Sequence, residues 1–131
     1  MSNPVLLPRS DGSSLVLHHL GGSGDRPLLI SHATGFHGRC YLELAEHLSP
    51  SWTVWALDYT GHGETTASGP EVETWNCFGE DALTAARHLA PNGGLHAFGH
   101  SMGGAAVLMA HLHDPGTFAQ LVAFEPIAPP P

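Results

Sequence analysis

Among the residues able to do chemistry, Gly99-His100-Ser101-Met102-Gly103, followed by Gly104, forms the strongest group. A serine hydroxyl is a weak nucleophile until a neighbouring base and a fixed geometry activate it. Glycine two positions to either side permits a sharp bend. The Gly-x-Ser-x-Gly pattern alone is modest evidence. Its position between an apolar strand, Leu95 to Gly99, and an Ala-rich helix, Met102 to His113, adds to it. Such a bend strains the backbone of Ser101 and lifts its hydroxyl above the sheet. Side chains at Gly99 and Gly103 would collide with the flanking strand and helix. Gly103, Gly104, Ala105 and Ala106 let the helix approach closely, and its N-terminus directs partial positive charge at the reacting centre. The plainer alternative is that Ser101 only caps a helix.

A serine nucleophile also needs a base within hydrogen-bond reach and an acid to orient that base. Beyond Ser101 the histidines are His111 and His113, on the helix leaving the bend. At 1.5 Å rise per residue they lie about 15 Å or more away, so neither is the base within one subunit. His100 is expected to point away from its neighbour. The i, i+2 spacing of His111 and His113 turns them to opposite sides of a helix, which argues against a metal site. No Gly-rich loop ends in Lys-Ser or Lys-Thr, and no Gly-x-Gly-x-x-Gly follows the first strand. Neither a cofactor nor a metal is expected.

The elements that must position these residues alternate. Val5–Leu7 and Ser14–Leu20 predict two strands joined by an Asp11-Gly12 turn into a hairpin. Leu28-Leu29-Ile30 predicts a strand buried on both faces. Tyr41, Leu44, Ala45 and Leu48 share one helical face that Pro50 ends. Trp52–Leu57 predicts a strand, Gly61–Pro70 a long loop, and Thr74 a cap for a helix carrying Trp75, Phe78, Ala82, Ala86 and Leu89. Leu95–Gly99 and Leu121–Phe124 complete the strands. Strand and helix alternation demands crossover connections and a mainly parallel sheet. The expected class is therefore α/β: a mostly parallel sheet with an antiparallel N-terminal hairpin, about six strands and three helices on both faces, in one domain over 1–131.

Composition narrows the partners. Four basic residues against twelve acidic ones give a formal charge of −8, which repels phosphate backbones and anionic lipid. Nucleic acid and membrane surfaces are thus not expected partners; a small-molecule substrate is. Cys40 and Cys77 predict reduced structural thiols. The N-terminus lacks the charged lead and apolar run of a signal peptide, and no run reaches the length of a membrane span. The expectation is a cytoplasmic protein, with Pro129-Pro130-Pro131 unstructured.

Ordered along the chain, three segments resemble the α/β-hydrolase superfamily, over about residues 5 to 126. The Ser101 bend matches its nucleophile elbow. Ser31-His32-Ala33-Thr34-Gly35-Phe36-His37-Gly38 is similar to its His-Gly loop, with Ala33 where glycine is usual. The resemblance implies that the Thr34 and Met102 amides form the oxyanion hole. Asp58-Tyr59-Thr60-Gly61-His62-Gly63-Glu64-Thr65 resembles the Asp-x-Arg-Gly-His-Gly-x-Ser segment, with Thr60 for Arg and Thr65 for Ser. Asp58 and His62 are read as structural, not catalytic, as are His32 and Gly35.

In that family the acid and then the histidine follow the serine late in a longer chain. A minority, haloalkane dehalogenases among them, carry a carboxylate just after the sixth strand, where Glu125 falls. Glu125 is thus a candidate acid or a strand-end carboxylate. The expectation is the N-terminal half of a hydrolase core, with lid and C-terminal strands absent and little triad-dependent activity alone. Its substrate would be a carboxylic ester or related carbonyl compound. A lyase, acyltransferase or C–C bond hydrolase of the same fold, or a non-catalytic truncated module, is the alternative. Unpaired sheet edges are expected to favour self-association.

Overall fold

The computed structural model describes residues 3–67 and 74–127. Six strands, β1 (Val5–Pro8), β2 (Ser14–Gly21), β3 (Pro27–Ser31), β4 (Thr53–Asp58), β5 (Leu95–His100) and β6 (Phe118–Phe124), form one sheet in the order β1-β2-β4-β3-β5-β6. Three helices, α1 (Leu42–Leu48), α2 (Asn76–Leu89) and α3 (Met102–His113), connect them. β4, β3, β5 and β6 run parallel, as strand–helix–strand crossovers require. β2 is antiparallel both to β1 and to β4. The hairpin is therefore not an appendage; its second strand enters the sheet beside β4.

Alternation of side chains across the strands assigns the helices to faces. Leu29, Leu57 and Ala97 point to a core with Phe78, Ala82 and Ala86 of α2 and Met102, Ala106 and Ala110 of α3. Their sequence neighbours Ile30, Ala56 and Phe98 point the other way, toward Tyr41, Ala45 and the half-buried Leu44 and Leu48 at α1. Both faces of the sheet are thus covered, as expected.

Several boundaries differ from the expectation. β6 begins at Phe118, because Leu95 and the residues after it pair with it from its first residue. A single 3-10 turn, Gly38–Tyr41, precedes α1, and another, Gly63–Ala67, occupies the loop after β4. The N-cap of α2 is Trp75 without a side-chain cap; Thr74 contributes its carbonyl, which accepts the Cys77 N–H, rather than its hydroxyl. The loop beyond residue 67 and the terminal prolines lie outside the described residues. Cys40 and Cys77 are free, and burial pushes the Cys77 thiol up to about 11.

Two contacts at the C-terminal ends of the parallel strands fix everything near Ser101. The first is the approach of α3 to β3. A Cβ built at Gly103 would overlap the Ser31 carbonyl and come within 2.5 Å of the His32 oxygen. One at Gly99 would lie 2.6 Å from the Gly104 Cα. Ser31 Oγ donates to the Gly103 carbonyl at 2.8 Å and accepts the Tyr59 hydroxyl, so the approach is hydrogen-bonded as well as close.

The second contact is His32, fully buried. Its Nδ1–H donates to the Ala33 carbonyl at 2.8 Å, and its Nε2 accepts the Tyr59 N–H at 3.0 Å. The ring thereby ties the exit of β3 to that of β4. Burial lowers its pKa to about 4, against the contrary pull of the Ala33 carbonyl. A proton on Nε2 would face a donor rather than an acceptor.

Two predictions follow from these contacts. Gly103→Ala is expected to cost about 3 kcal/mol or more in urea unfolding, since backbone would have to move. Gly35→Ala, at φ 79° in open space, is expected to cost only about 1 kcal/mol, for its backbone conformation alone. The second concerns pH. The unfolded chain protonates His32 near its ordinary 6.5, the folded chain near 4, so stability is complete above 6.5 and falls as pH drops toward 4. The loss is on the order of 3 kcal/mol. His32→Gln is expected to flatten that part of the stability profile; the stability that Asp58 adds, its carboxyl being held below the ordinary value, is lost only in stronger acid.

Candidate active site

Ser101 occupies the joint between β5 and α3 at φ 55°, ψ −116°, a conformation that ordinary residues avoid at a cost of about 1–3 kcal/mol. Its backbone is held on both sides. The Ser101 N–H donates to the Phe124 carbonyl at 3.0 Å, and its own carbonyl accepts N–H groups from Gly104 at 3.0 Å and Ile127 at 3.2 Å. Ser101 stands at the N-cap position of α3, yet its side chain makes no capping hydrogen bond. The plain helix-cap alternative is therefore not what the geometry shows. The residue is half-buried, and among the described residues no group hydrogen-bonds its Oγ.

The loop after β3 turns on Ala33-Thr34-Gly35-Phe36, closed by a Phe36 N–H to Ala33 carbonyl bond of 3.0 Å. Gly35, third in that turn, has φ 79°, which glycine adopts without strain. The Thr34 amide donates to no described group, and neither does the Met102 amide at the first position of α3. Loop and elbow are joined through Tyr41. Its hydroxyl accepts the Ala33 N–H at 3.1 Å and lies 2.8 Å from His100 Nδ1. The His100 ring sits among Phe36, Tyr41 and Phe124, with centroids 5.4–6.0 Å away.

Asp58, at the end of β4, braces two loops. Its carboxylate accepts the Gly38 N–H at 2.7 Å, the Glu64 N–H at 2.9 Å and His18 Nε2 at 2.9 Å. Burial works against the charge, but these donors outweigh it and hold the carboxyl below its ordinary value. Gly63 follows because a Cβ there would strike the Asp58 carboxylate. His18, Asp58 and Glu64 place one donor atom each within 4.8 Å of one another, which is a cation-sized grouping. The Gly38 and Glu64 amides already bond the Asp58 carboxylate there, and the Arg39 guanidinium lies 4.0 Å from Glu64.

His62 Nδ1 lies 3.0 Å from the Thr60 carbonyl, and its ring packs near His32 and Phe78. Thr60 itself is held by Asp81, through its N–H at 2.8 Å and Oγ1 at 2.7 Å, with the Arg9 guanidinium 2.6 Å from the same hydroxyl. Burial raises the Asp81 pKa, outweighing Thr60 and Arg9. A cation thus reaches this spot from the end of β1, although the segment carries Thr60 where its resemblance has Arg.

Glu125 follows β6 directly, exposed and at φ 46°. Its neighbours Phe124 and Ile127 bond the Ser101 backbone, and Pro126 packs where a Cβ at Gly104 would come within 3.0 Å. The carboxylate has no partner among the described residues. His111 and His113 lie on α3 beyond the bend. Tyr41, His18, Arg9 and Asp81 escaped the sequence reading. Tyr41 was legible only as one of four apolar-face residues, and the other three act across separations of 21 to 72 residues.

The comparisons with known proteins agree with this architecture. A family model described as serine aminopeptidase, S33, matches residues 23–130. Human monoglyceride lipase is 33% identical, covering 92% of this chain and 42% of the lipase. Lipase LipV of Mycobacterium tuberculosis is 32% identical, covering 86% and 41%. A hydrolase from Pseudomonas aeruginosa superposes with TM-score 0.83 at 26% identity, covering 98% of this chain and 49% of that one. An esterase from Thermogutta terrifontis shares the fold, with TM-score 0.81 at 24% identity over 99% and 48%. The chain therefore spans under half the length of the relatives it matches. Among the described residues no helix is long and apolar enough to cross a membrane. The chain belongs to the serine aminopeptidase S33 family of α/β hydrolases.

Proposed function

We propose that Ser101 is the nucleophile of a hydrolase acting on a carboxylic ester, and that the Thr34 and Met102 amides stabilise the oxyanion. The observation that carries this reading is the Ser101 backbone at φ 55°, together with a Ser101 hydroxyl and Thr34 and Met102 amides that make no hydrogen bond to any described group. Attack on an ester carbonyl would place negative charge on its oxygen. Two amides aimed at that oxygen are worth about 3 kcal/mol each where water is excluded. The names of the lipase relatives make a monoacylglycerol the first ester to try, with Ser101 forming the acyl-enzyme and the glycerol leaving.

The reading assigns the base to none of His32, His100, His111 and His113. His32 is buried and bonded on both nitrogens, His100 is engaged with Tyr41, and His111 and His113 lie beyond the bend. The reading therefore assigns the base, and the acid that orients it, to residues outside these 131, with Glu125 as the internal candidate for the acid. Its place after β6, on a turn bonded to the Ser101 backbone, supports that candidacy. Little triad-dependent turnover is expected of this chain.

Incubation with a fluorophosphonate, followed by peptide mass spectrometry, tests both statements. Slow, substoichiometric modification confined to Ser101 and abolished in Ser101→Ala is expected. Modification elsewhere refutes the nucleophile; rapid stoichiometric labelling refutes the external base. A form of the protein supplying the base is expected to react about a thousandfold faster or more.

Self-association through the β6 edge belongs to the same reading. That strand carries no charge or proline, and Val122 and Phe124 are 60% and 52% exposed. An apolar groove of about 220 Å³, lined by Leu44, Leu48, Trp52, Phe98 and Val122, runs beside it. Gel filtration at rising concentration is expected to show larger species, diminished in Val122→Lys. A sharp monomer peak throughout contradicts this.

A further inference from the structure

Tyr41 lies where three segments meet: the turn into α1, the loop after β3 and the last residue of β5. It is buried, 8% exposed. Its oxygen stands 3.1 Å from the Ala33 amide nitrogen and 2.8 Å from His100 Nδ1. An amide N–H only donates, so the phenol oxygen accepts from Ala33. A phenol oxygen can accept twice, but among the described residues its one proton has no acceptor besides His100, whose Nδ1 then presents a lone pair. That order of donors requires a neutral His100 ring with its proton on Nε2.

Ala33 precedes Thr34, and His100 stands two residues before Met102. One hydroxyl therefore bridges the two segments whose amides are assigned to the oxyanion. We propose that Tyr41 is a positioning residue for the Thr34 and Met102 amides, acting through Ala33 and through the Nε2–H tautomer of His100. This rests on the reading of Ser101, Thr34 and Met102 given above. Ala33 is itself buried at 5% exposure, so its N–H has no water to turn to if the phenol is removed. Burial also raises the Tyr41 pKa, against the pull of the Ala33 amide, so the phenol keeps its proton at neutral pH. The Phe36 and Phe124 rings pack near the His100 ring, with centroids 5.6 and 5.4 Å away. The sequence allots Tyr41 only to the core face of a helix. A phenylalanine would serve there equally well, and the hydroxyl is what the bridge needs.

Nuclear magnetic resonance on the ¹⁵N-labelled 131-residue chain at pH 7 tests the bridge. In the unmodified chain His100 is expected to be neutral, unprotonated at Nδ1 and protonated at Nε2. In Tyr41→Phe the tautomer preference is expected to vanish and Ala33 amide exchange to rise about tenfold or more. The Thr34 and Met102 resonances should shift, while those of Leu57 and Val107 stay. A proton on Nδ1 in the unmodified chain overturns the proposal without any variant. So does a folded Tyr41→Phe in which Ala33 exchange and the Thr34 and Met102 resonances are unchanged. Neither readout depends on Ser101 reacting, and Ser101→Ala is expected to leave the Ala33 and His100 signals in place. Failure of the bridge is thus told apart from failure of the nucleophile.

Discussion

The first turn of α3 rests on the last residues of β3 with only glycine between them, and the site hangs on that contact. Gly103 has no room for a methyl group against Ser31 and His32, and Gly99 has none against Gly104. With the helix so close, the chain must reverse from strand to helix within one residue. Ser101 takes the strain of that reversal at φ 55°. The strain is local, and the surrounding backbone offsets it: Phe124 and Ile127 bond the serine from β6, and Ser31 bonds the Gly103 carbonyl from β3. Three parallel strands therefore over-determine one residue.

Around that joint, polar side chains brace the loops instead of leaving them to solvent. His32 links the exits of β3 and β4, Asp58 gathers the Gly38 and Glu64 amides with His18, and Tyr41 spans to His100. Each is buried, and each has its hydrogen bonds supplied, which is the condition under which a buried polar group stabilises rather than costs. The charge states differ accordingly. Asp58 keeps its charge because donors surround it, whereas His32 remains neutral because burial disfavours a second proton. Loops held this way present backbone amides in fixed positions, which is what stabilisation of a developing charge needs.

Family membership and the shared fold extend over nearly all of the chain, yet it spans under half of each relative described. Nucleophile and oxyanion donors, as proposed, come from strand ends already in the sheet. Among the described imidazoles, His32 and His100 are bonded elsewhere and His111 and His113 lie on α3 beyond the bend. β6 ends the sheet with apolar side chains on an unpaired edge, in contrast to β1, which Pro4 and Pro8 flank at the opposite edge.

The amino-acid sequence alone determined the strand and helix order, the α/β class and the family resemblance. These are carried by local signals: apolar runs, helical spacing from Tyr41 to Leu48, and glycines at 99 and 103 that only a tight bend explains. Element ends were less legible, as with β6 and the cap of α2, because pairing and packing, not propensity, decide where an element stops. Tertiary structure alone decided that β2 lies antiparallel beside β4, that Arg9 and Asp81 hold Thr60, and that the Tyr41 hydroxyl reaches Ala33 and His100. Such contacts join residues up to 72 positions apart, and no local pattern records them. A tyrosine at a core-facing position reads as bulk until the fold brings a donor and an acceptor to its oxygen.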